Sequence, residues 1–144
     1  MPVESEERIA IESDADVVTA RQRARELANE LDLSSTDQTL LATAISEVAR
    51  NITAYAGEGE LRLRVVRGAN GRQGIEVVAS DQGPGIPDIE RALQDGYTTG
   101  GGLGLGLPGA RRLVDEFNIQ SEVDQGTTVT LVMWQRTAGS SVRA

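Results

Sequence analysis

Two alternating segments joined by Asn70-Gly71 place the strongest constraint on how this chain can fold. The flanking residues, ELRLRVVRG (60–68) and GIEVVASD (74–81), alternate apolar and polar side chains, which is typical of half-buried strands. An Asn-Gly pair favours the tight turn of a β-hairpin, because both residues tolerate a left-handed backbone. Any sheet in this protein must therefore contain an antiparallel hairpin near the middle of the chain.

Apolar periodicity elsewhere predicts further strands and helices around this hairpin. The predicted strands are 7–12, 60–68, 74–81, 118–124 and 127–134, with the last two joined around Gln125-Gly126. The predicted helices run from Asp14 or Asp16 to about Asp32, from about Thr36 to Ala56, over a short segment at 87–94, and from Pro108 to about Phe117. We therefore expect an α/β two-layer sandwich, with a mixed, mostly antiparallel sheet and three helices on one face.

The size and charge of the chain favour a single acidic globular domain. Its 144 residues suit one domain, expected at 1–135, with a disordered tail at 136–144. The net charge of −8 argues against nucleic-acid partners and against binding to an anionic membrane. Neither a long apolar run nor a signal-peptide pattern is present, so the expected location is cytoplasmic.

Three missing residue types exclude several kinds of chemistry. The chain has no histidine and no cysteine, which excludes a Ser-His-Asp triad, a His- or Cys-ligated zinc site and a disulfide framework. All 14 basic residues are arginine. A P-loop and a eukaryotic-type protein kinase both need a lysine on the nucleotide phosphates, so neither can be built here.

Residues 100–114, GGGLGLGLPGARRLV, form a glycine-rich loop that leads into a helical pattern. Gly104, Gly106 and Gly109 match the G-x-G-x-x-G spacing of a dinucleotide-binding turn, but the preceding DGYTTGG cannot be the buried strand which that turn requires. A flexible linker would not explain the leucines between the glycines. The loop is better explained as a phosphate cradle, because glycines let backbone N–H groups converge on an anion at a helix N-terminus.

Without lysine, a metal ion and arginines would have to complete the neutralisation of a triphosphate. The arginines nearest in sequence to the candidate motifs are Arg50, Arg111 and Arg112. Each is interpreted first as a surface or ion-pair residue, and only second as a phosphate ligand.

Two further motifs each have an ordinary explanation when taken alone. Glu47 and Asn51, in SEVARNI, lie four residues apart and share one face of the second helix, as a solvated polar pair would. Asp81, in SDQGPGI, follows an apolar strand and is succeeded by Gly83 and Gly85, as in a tight turn.

The chain contains four motifs in a fixed order: E-x-x-x-N, D-x-G-x-G, the glycine-rich loop and Gly126-Thr127. This ordered set resembles the ATP-binding module, or Bergerat fold, of the GHKL superfamily. Three longer segments carry a narrower resemblance: AISEVARNITAYAGEGE, DQGPGIPDI and DGYTTGGGLGLGLPGARRLVDEF. They resemble the RsbT-type switch serine/threonine kinases of the bacterial stressosome. The resemblance extends from the first strand to Trp134, nearly the full chain.

The resemblance implies an ATP- and Mg²⁺-dependent kinase with a role for each matching residue. Glu47 is implied as the catalytic base, Asn51 as the Mg²⁺ ligand, and Asp81 as the acceptor for the adenine 6-amino group. The implied nucleotide-binding residues are Asn51, Asp81, Gly83, Gly85, Ile86, Gly102, Leu103, Gly104, Leu105, Gly106 and Thr127.

The resemblance also implies partners: STAS-domain scaffold and antagonist proteins as substrates, and a PP2C-type phosphatase that the released kinase activates. Two alternatives remain open. One is an anti-sigma factor kinase that sequesters a sigma factor, and the other is an ATP-gated binding module without catalysis.

Overall fold

A computed structural model describes residues 3–85 and 106–136, which form an antiparallel sheet covered by helices. Its elements are β1 (Val3–Ile11), α1 (Asp14–Glu30), α2 (Ser35–Tyr55), β2 (Gly59–Arg67), β3 (Gln73–Asp81), α3 (Gly106–Leu113), β4 (Glu116–Glu122) and β5 (Gly126–Trp134). The strand order is β1-β2-β3-β5-β4, and each of these four neighbouring pairs is antiparallel.

The Asn70-Gly71 hairpin is confirmed, with a wider turn than a two-residue loop. β2 ends at Arg67 and β3 begins at Gln73, so five residues connect them. Gly71 has a φ of +83°, and its N–H donates to the carbonyl oxygen of Gly68 at 3.0 Å. The left-handed glycine thus closes the loop, as the sequence predicts.

The helices cover a single apolar face of the sheet, and the core lies between the two layers. In α2 the predicted stripe of Leu41, Ile45, Val48 and Ile52 is fully buried. It packs with the alternate, core-facing residues of the strands. Burying each such side chain contributes about 1.5–3 kcal/mol. The expected two-layer α/β sandwich is confirmed, although the described pairs are all antiparallel rather than mixed.

The third helix differs from its predicted bounds at both ends. It begins at Gly106, two residues before Pro108, and ends at Leu113. Phe117 lies in β4 instead, half-buried against the core like Ile119, while the residues between and beside them are exposed. Exposed and half-buried residues thus alternate with a period of two, as in a strand, and the predicted helical pattern does not hold for this segment.

The end of β5 is tied to the helical layer. Arg136, assigned from sequence to the tail, donates to carboxylate oxygens of Asp37 at 2.8 Å and of Asp115 at 2.9 Å. The amide of Gln135 donates to the carbonyl oxygen of Leu31 at 2.9 Å. Residues 137–144 and the predicted helix at 87–94 lie outside the described residues. Among the helices of the described part, none is long and apolar enough to cross a bilayer.

Candidate nucleotide site

Helix α2 carries two of the predicted site residues on one face. The helix begins cleanly because the Ser34 side chain caps it, accepting from the N–H of Asp37 at 3.0 Å. Glu47 lies one helical turn before Asn51, so both side chains point to the same side. Glu47 is only 9% exposed, while Asn51 is half-buried. A carboxylate this buried needs partners for both of its oxygens.

The carboxylate of Glu47 joins α2 to the start of α3. The backbone N–H of Gly106 donates to Oε1 of Glu47 at 2.9 Å. The guanidinium of Arg50 donates to Oε2 at 3.0 Å. Gly106 is the first residue of α3 and has a φ of +68°, which glycine adopts without strain. The negative charge therefore lies at a helix N-terminus, where the helix dipole stabilises it.

A row of residues crosses the end of the sheet below α2. Asp81 in β3 is paired with Gly59 in β2 and with Thr127 in β5, and Thr127 is paired with Ser121 in β4. Asp81 and Thr127 continue the core-facing alternation of their strands, so their side chains point toward the helical layer. A Cβ at Gly59 would lie 2.8 Å from Ile52 of α2, which shows how closely the helix approaches this end.

The loop after Asp81 is held by backbone contacts that only glycine permits. Oδ1 of Asp81 accepts from the N–H of Gly83 at 2.9 Å. A Cβ at Gly83 would lie 2.6 Å from the Cβ of Ala56, just beyond α2. Gly85 has a φ of +79°, and a Cβ there would lie 2.2 Å from the carbonyl oxygen of Glu122. The D-x-G-x-G motif is therefore packed between the end of α2 and the β4–β5 turn.

The β4–β5 turn supports the same loop from the other side. Gly126 has a φ of +113°, and a Cβ there would lie 2.1 Å from the carbonyl oxygen of Asp81. The N–H of Asp124 donates to the carbonyl oxygen of Pro84 at 2.8 Å. Asp124 itself adopts a left-handed φ of +66°, which aspartate tolerates better than most residues.

The structure brings the predicted residues together in two groups. Glu47 and Asn51 share a face of α2, with Gly106 bonded to Glu47, and Asp81, Gly83, Gly85 and Thr127 surround the end of the sheet. The predicted ligands Ile86, Gly102, Leu103, Gly104 and Leu105 lie outside the described residues. Arg50 is the ion-pair partner of Glu47, and Arg111 and Arg112 are exposed on α3.

Sequence reasoning missed Ser121, whose hydroxyl oxygen lies 2.8 Å from that of Thr127. The register of the β4–β5 hairpin was the available signal. The strands pair Glu122 with Gly126 across a turn of three residues, and this pairing sets Ser121 opposite Thr127. The prediction from sequence places the turn around Gln125-Gly126 and therefore does not set Ser121 opposite Thr127.

Known proteins place the chain in a family. Residues 36–137 match the family described as histidine kinase-, DNA gyrase B- and HSP90-like ATPase. The serine/threonine-protein kinase RsbT of Bacillus subtilis (strain 168) is 46% identical over 128 residues, which cover 89% of this chain and 96% of that protein. An anti-sigma F factor of Geobacillus stearothermophilus is 32% identical over 106 residues, covering 71% of this chain and 73% of the relative.

A solved structure agrees with this assignment at the level of the fold. The crystal structure of the RsbU and RsbW domains of Rv1364c from Mycobacterium tuberculosis superposes with a TM-score of 0.60 at 23% identity. The match covers 93% of this chain and 34% of the larger protein. The chain therefore belongs to the histidine kinase-, DNA gyrase B- and HSP90-like ATPases and, within them, to the RsbT-type serine/threonine protein kinases.

Proposed function

We propose that this kinase transfers the γ-phosphoryl group of Mg·ATP to a serine or threonine hydroxyl of a STAS-domain protein in the cytoplasm. The observation that carries the proposal is the hydrogen bond from the N–H of Gly106 to Glu47. It connects the helix bearing Glu47 and Asn51 to the residue at which the glycine-rich segment enters α3. The candidate base and the candidate phosphate-binding segment thus meet at one point.

The base of the nucleotide is assigned to the end of the sheet. A carboxylate accepts hydrogen bonds only, so Asp81 suits the 6-amino group of adenine and opposes the 6-oxygen of guanine. Gly83 and Gly85 keep the adjoining backbone free of side chains where the loop packs tightly. Thr127, paired with Asp81 across the strands, supplies a buried hydroxyl beside it.

The phosphates and their metal ion are assigned to the side of α2. Mg²⁺ prefers oxygen ligands and is usually bound through one or two protein groups, with waters and phosphate oxygens completing its shell. The half-buried amide of Asn51, one turn from Glu47, fits that requirement. When bound, the ion would neutralise phosphate charge in a chain that has no lysine.

Glu47 is assigned as the base that receives the proton of the acceptor hydroxyl. In the transfer, the hydroxyl oxygen forms a bond to the γ-phosphorus, the bond to the β–γ bridging oxygen breaks, and ADP leaves. The proton of the hydroxyl passes to the Glu47 carboxylate. Because phosphoryl transfer has a loose transition state, orientation of the hydroxyl is a large part of this role.

The proposed partners rest on the relatives of the chain. The 46% identity to a serine/threonine kinase named RsbT supports STAS-domain scaffold and antagonist proteins as substrates. The same relationship supports a PP2C-type phosphatase as the partner that the kinase activates after phosphorylation releases it.

The decisive experiment incubates the purified chain with ATP, Mg²⁺ and a STAS-domain partner, and then measures the intact mass of the partner. The expected result is one added phosphoryl group, which disappears when Mg²⁺ is chelated. Replacing the acceptor serine or threonine of the partner by alanine is the matched control. An unmodified partner would refute the proposal and favour a binding module without catalysis.

An anti-sigma function is the second candidate, and the anti-sigma F factor at 32% identity favours it. Such a protein would hold a sigma factor in a stable complex. Pull-down of the chain with a sigma factor, in parallel with a STAS-domain protein, separates the two functions. We expect retention of the STAS-domain protein alone.

A further inference from the structure

The carboxylate of Glu47 has two donors that belong to different parts of the fold. The N–H of Gly106, at the start of α3, donates to Oε1 at 2.9 Å, while the guanidinium of Arg50, within α2, donates to Oε2 at 3.0 Å. Arg50 and Glu47 are three residues apart in one helix, so the backbone of α2 fixes their separation. The contact with Arg50 therefore does not depend on the position of α3.

We propose that Arg50 is a positioning residue for phosphoryl transfer: it holds the Glu47 carboxylate in place through Oε2 while the acceptor hydroxyl approaches Oε1. This inference rests on the proposed function, in which Glu47 is the base. In this role Arg50 contacts neither the hydroxyl nor the γ-phosphate, and it acts on the reaction only through Glu47.

The argument begins with the freedom of the Glu47 side chain. Glutamate has three rotatable bonds, and a base must keep its oxygen within hydrogen-bond reach of the proton that it takes. A carboxylate accepts through about four lone-pair sites, so Oε1 can receive the hydroxyl beside or in place of the N–H of Gly106. The donor on the other oxygen then keeps the carboxylate from turning away from the hydroxyl.

Burial makes this donor difficult to replace by water. The side chain of Glu47 is only 9% exposed, whereas that of Arg50 is 49% exposed. The guanidinium thus extends from the surface to an almost buried carboxylate oxygen, and a hydrogen bond between two charged groups is stronger than one between neutral groups. Because little solvent reaches Glu47, truncation of Arg50 removes the donor from Oε2 without a ready substitute.

Loss of Arg50 should slow the transfer step more than it weakens nucleotide binding. A carboxylate that turns freely is aligned with the acceptor hydroxyl in a smaller share of the complexes. A hydrogen bond to a charged group corresponds to a factor of about 10–10², and the exposure of Arg50 favours the lower end. We therefore expect a loss of about ten-fold in the rate of transfer.

The test measures single-turnover phosphorylation of a STAS-domain partner by the full chain at saturating Mg·ATP, below the melting temperature of every variant. Arg50→Ala should lower the rate by about ten-fold and leave the calorimetric affinity for Mg·ATP within a few-fold. Arg50→Lys, which keeps the charge and one donor, should recover most of the rate. Arg25→Ala is the matched control, since Arg25 is exposed on α1, and it should retain the full rate.

A double-mutant cycle with Glu47→Gln separates positioning of the base from other roles of Arg50. If Arg50 acts through the base, Arg50→Ala should cause no further loss in the slow transfer by Glu47→Gln. A further ten-fold loss in that background would overturn the inference, because Arg50 would then act on the γ-phosphate or on the fold. A wild-type rate in folded Arg50→Ala would overturn it as well.

Failure of the proposed function would give different results. A wild-type chain that transfers no phosphoryl group to the partner would refute the kinase function, and the inference with it. Transfer by Glu47→Gln at the wild-type rate would leave the kinase function standing but remove Glu47 as the base, which also overturns the role of Arg50.

Discussion

Glu47 and Gly106 are joined by a hydrogen bond of 2.9 Å between the carboxylate of α2 and the first backbone N–H of α3. With Arg50 on the other carboxylate oxygen, both oxygens of Glu47 have a donor. With Glu47 as the proposed base, an acceptor hydroxyl would have to share or replace one of these donors. The contact with Gly106 would then link the position of α3 to the availability of the Glu47 carboxylate.

Glu47 should matter for phosphoryl transfer much more than for nucleotide binding. A positioned base contributes about 10²–10⁴-fold, and the lower end suits a loose transition state. Glu47→Ala should lower the single-turnover rate of phosphorylation of a STAS-domain partner by about 10²-fold or more, and change Mg·ATP affinity by only a few-fold.

The substitution Glu47→Gln separates the proposed role of Glu47 as a base from its structural contact with Gly106. The amide oxygen of glutamine can still accept from the N–H of Gly106, but it cannot take a proton. We expect a rate as low as that of Glu47→Ala, with higher thermal stability. Glu30→Ala, exposed at the end of α1, is the surface control and should retain the full rate. Transfer at the wild-type rate in Glu47→Gln would contradict the assignment of the base.

Arg50 should act as the ion-pair partner of Glu47 and not as a phosphate ligand. Its side chain is 49% exposed, while that of Glu47 is only 9% exposed and needs a donor on each carboxylate oxygen. Arg50→Ala removes the donor from Oε2 and should therefore reduce the free energy of unfolding by about 1–3 kcal/mol, while Mg·ATP affinity stays within a few-fold. Calorimetry with ATP and ADP checks this. A loss above about ten-fold for ATP, with little change for ADP, would place Arg50 on the γ-phosphate.

The parts of the fold that follow from burial were predictable from sequence, and the strand order was not. Alternation located the strands because one face must be apolar. In the observed order, β5 lies between β3 and β4, although β4 precedes it in sequence. The composition of β5 contains a clue, since GTTVTLVMW is buried at most positions, while β4 is exposed at every second residue. A strand buried in this way belongs inside the sheet.

The site was predictable wherever a motif is local in sequence. Helical spacing alone sets Glu47 beside Asn51. The contact of Glu47 with Gly106 spans two helices and depends on a left-handed glycine ahead of Pro108, where sequence reasoning starts the helix. Ser121 became visible only through the hairpin register. Tertiary contacts between distant segments have no signal in local periodicity.

Asp81 should select adenine over guanine. GTP presents a carbonyl oxygen where ATP presents an amino group, so the carboxylate would face a second acceptor. We expect GTP to compete poorly with ATP. In Asp81→Asn, whose amide can donate, the difference between the affinities for ATP and GTP should become smaller. Competition calorimetry of both nucleotides measures this. Equal affinities of the wild type for ATP and GTP would remove Asp81 from the base site.

Asn51 should be required for Mg²⁺-dependent nucleotide binding and dispensable for folding. Its side chain lies half-buried at the edge of the core, so truncation leaves the apolar stripe of α2 intact. Asn51→Ala should keep the far-UV circular dichroism and the melting temperature close to wild type, while the gain in ATP affinity on adding Mg²⁺ disappears. A mutant in which Mg²⁺ still strengthens ATP binding to the wild-type extent would show that the metal is held elsewhere.

Acid should weaken the attachment of β1 through its carboxylates. Hydrogen bonds from Arg23 lower the pKa of Glu7, and one from Arg64 lowers the pKa of Glu6. A carboxylate whose pKa is lower in the folded state stabilises the fold above its unfolded pKa, about 4.3, and this stabilisation is lost as the pH falls through the folded pKa. The melting temperature should therefore decrease as the pH is lowered below about 4.5.

Glu7→Gln should melt lower than wild type near neutral pH and show a shallower acid dependence, because one of the titrating groups is gone. Glu30→Gln, exposed at the end of α1, should keep the wild-type slope. If Glu7→Gln and wild type lose stability in parallel, the ion pair with Arg23 contributes nothing to the acid response, and other carboxylates control it.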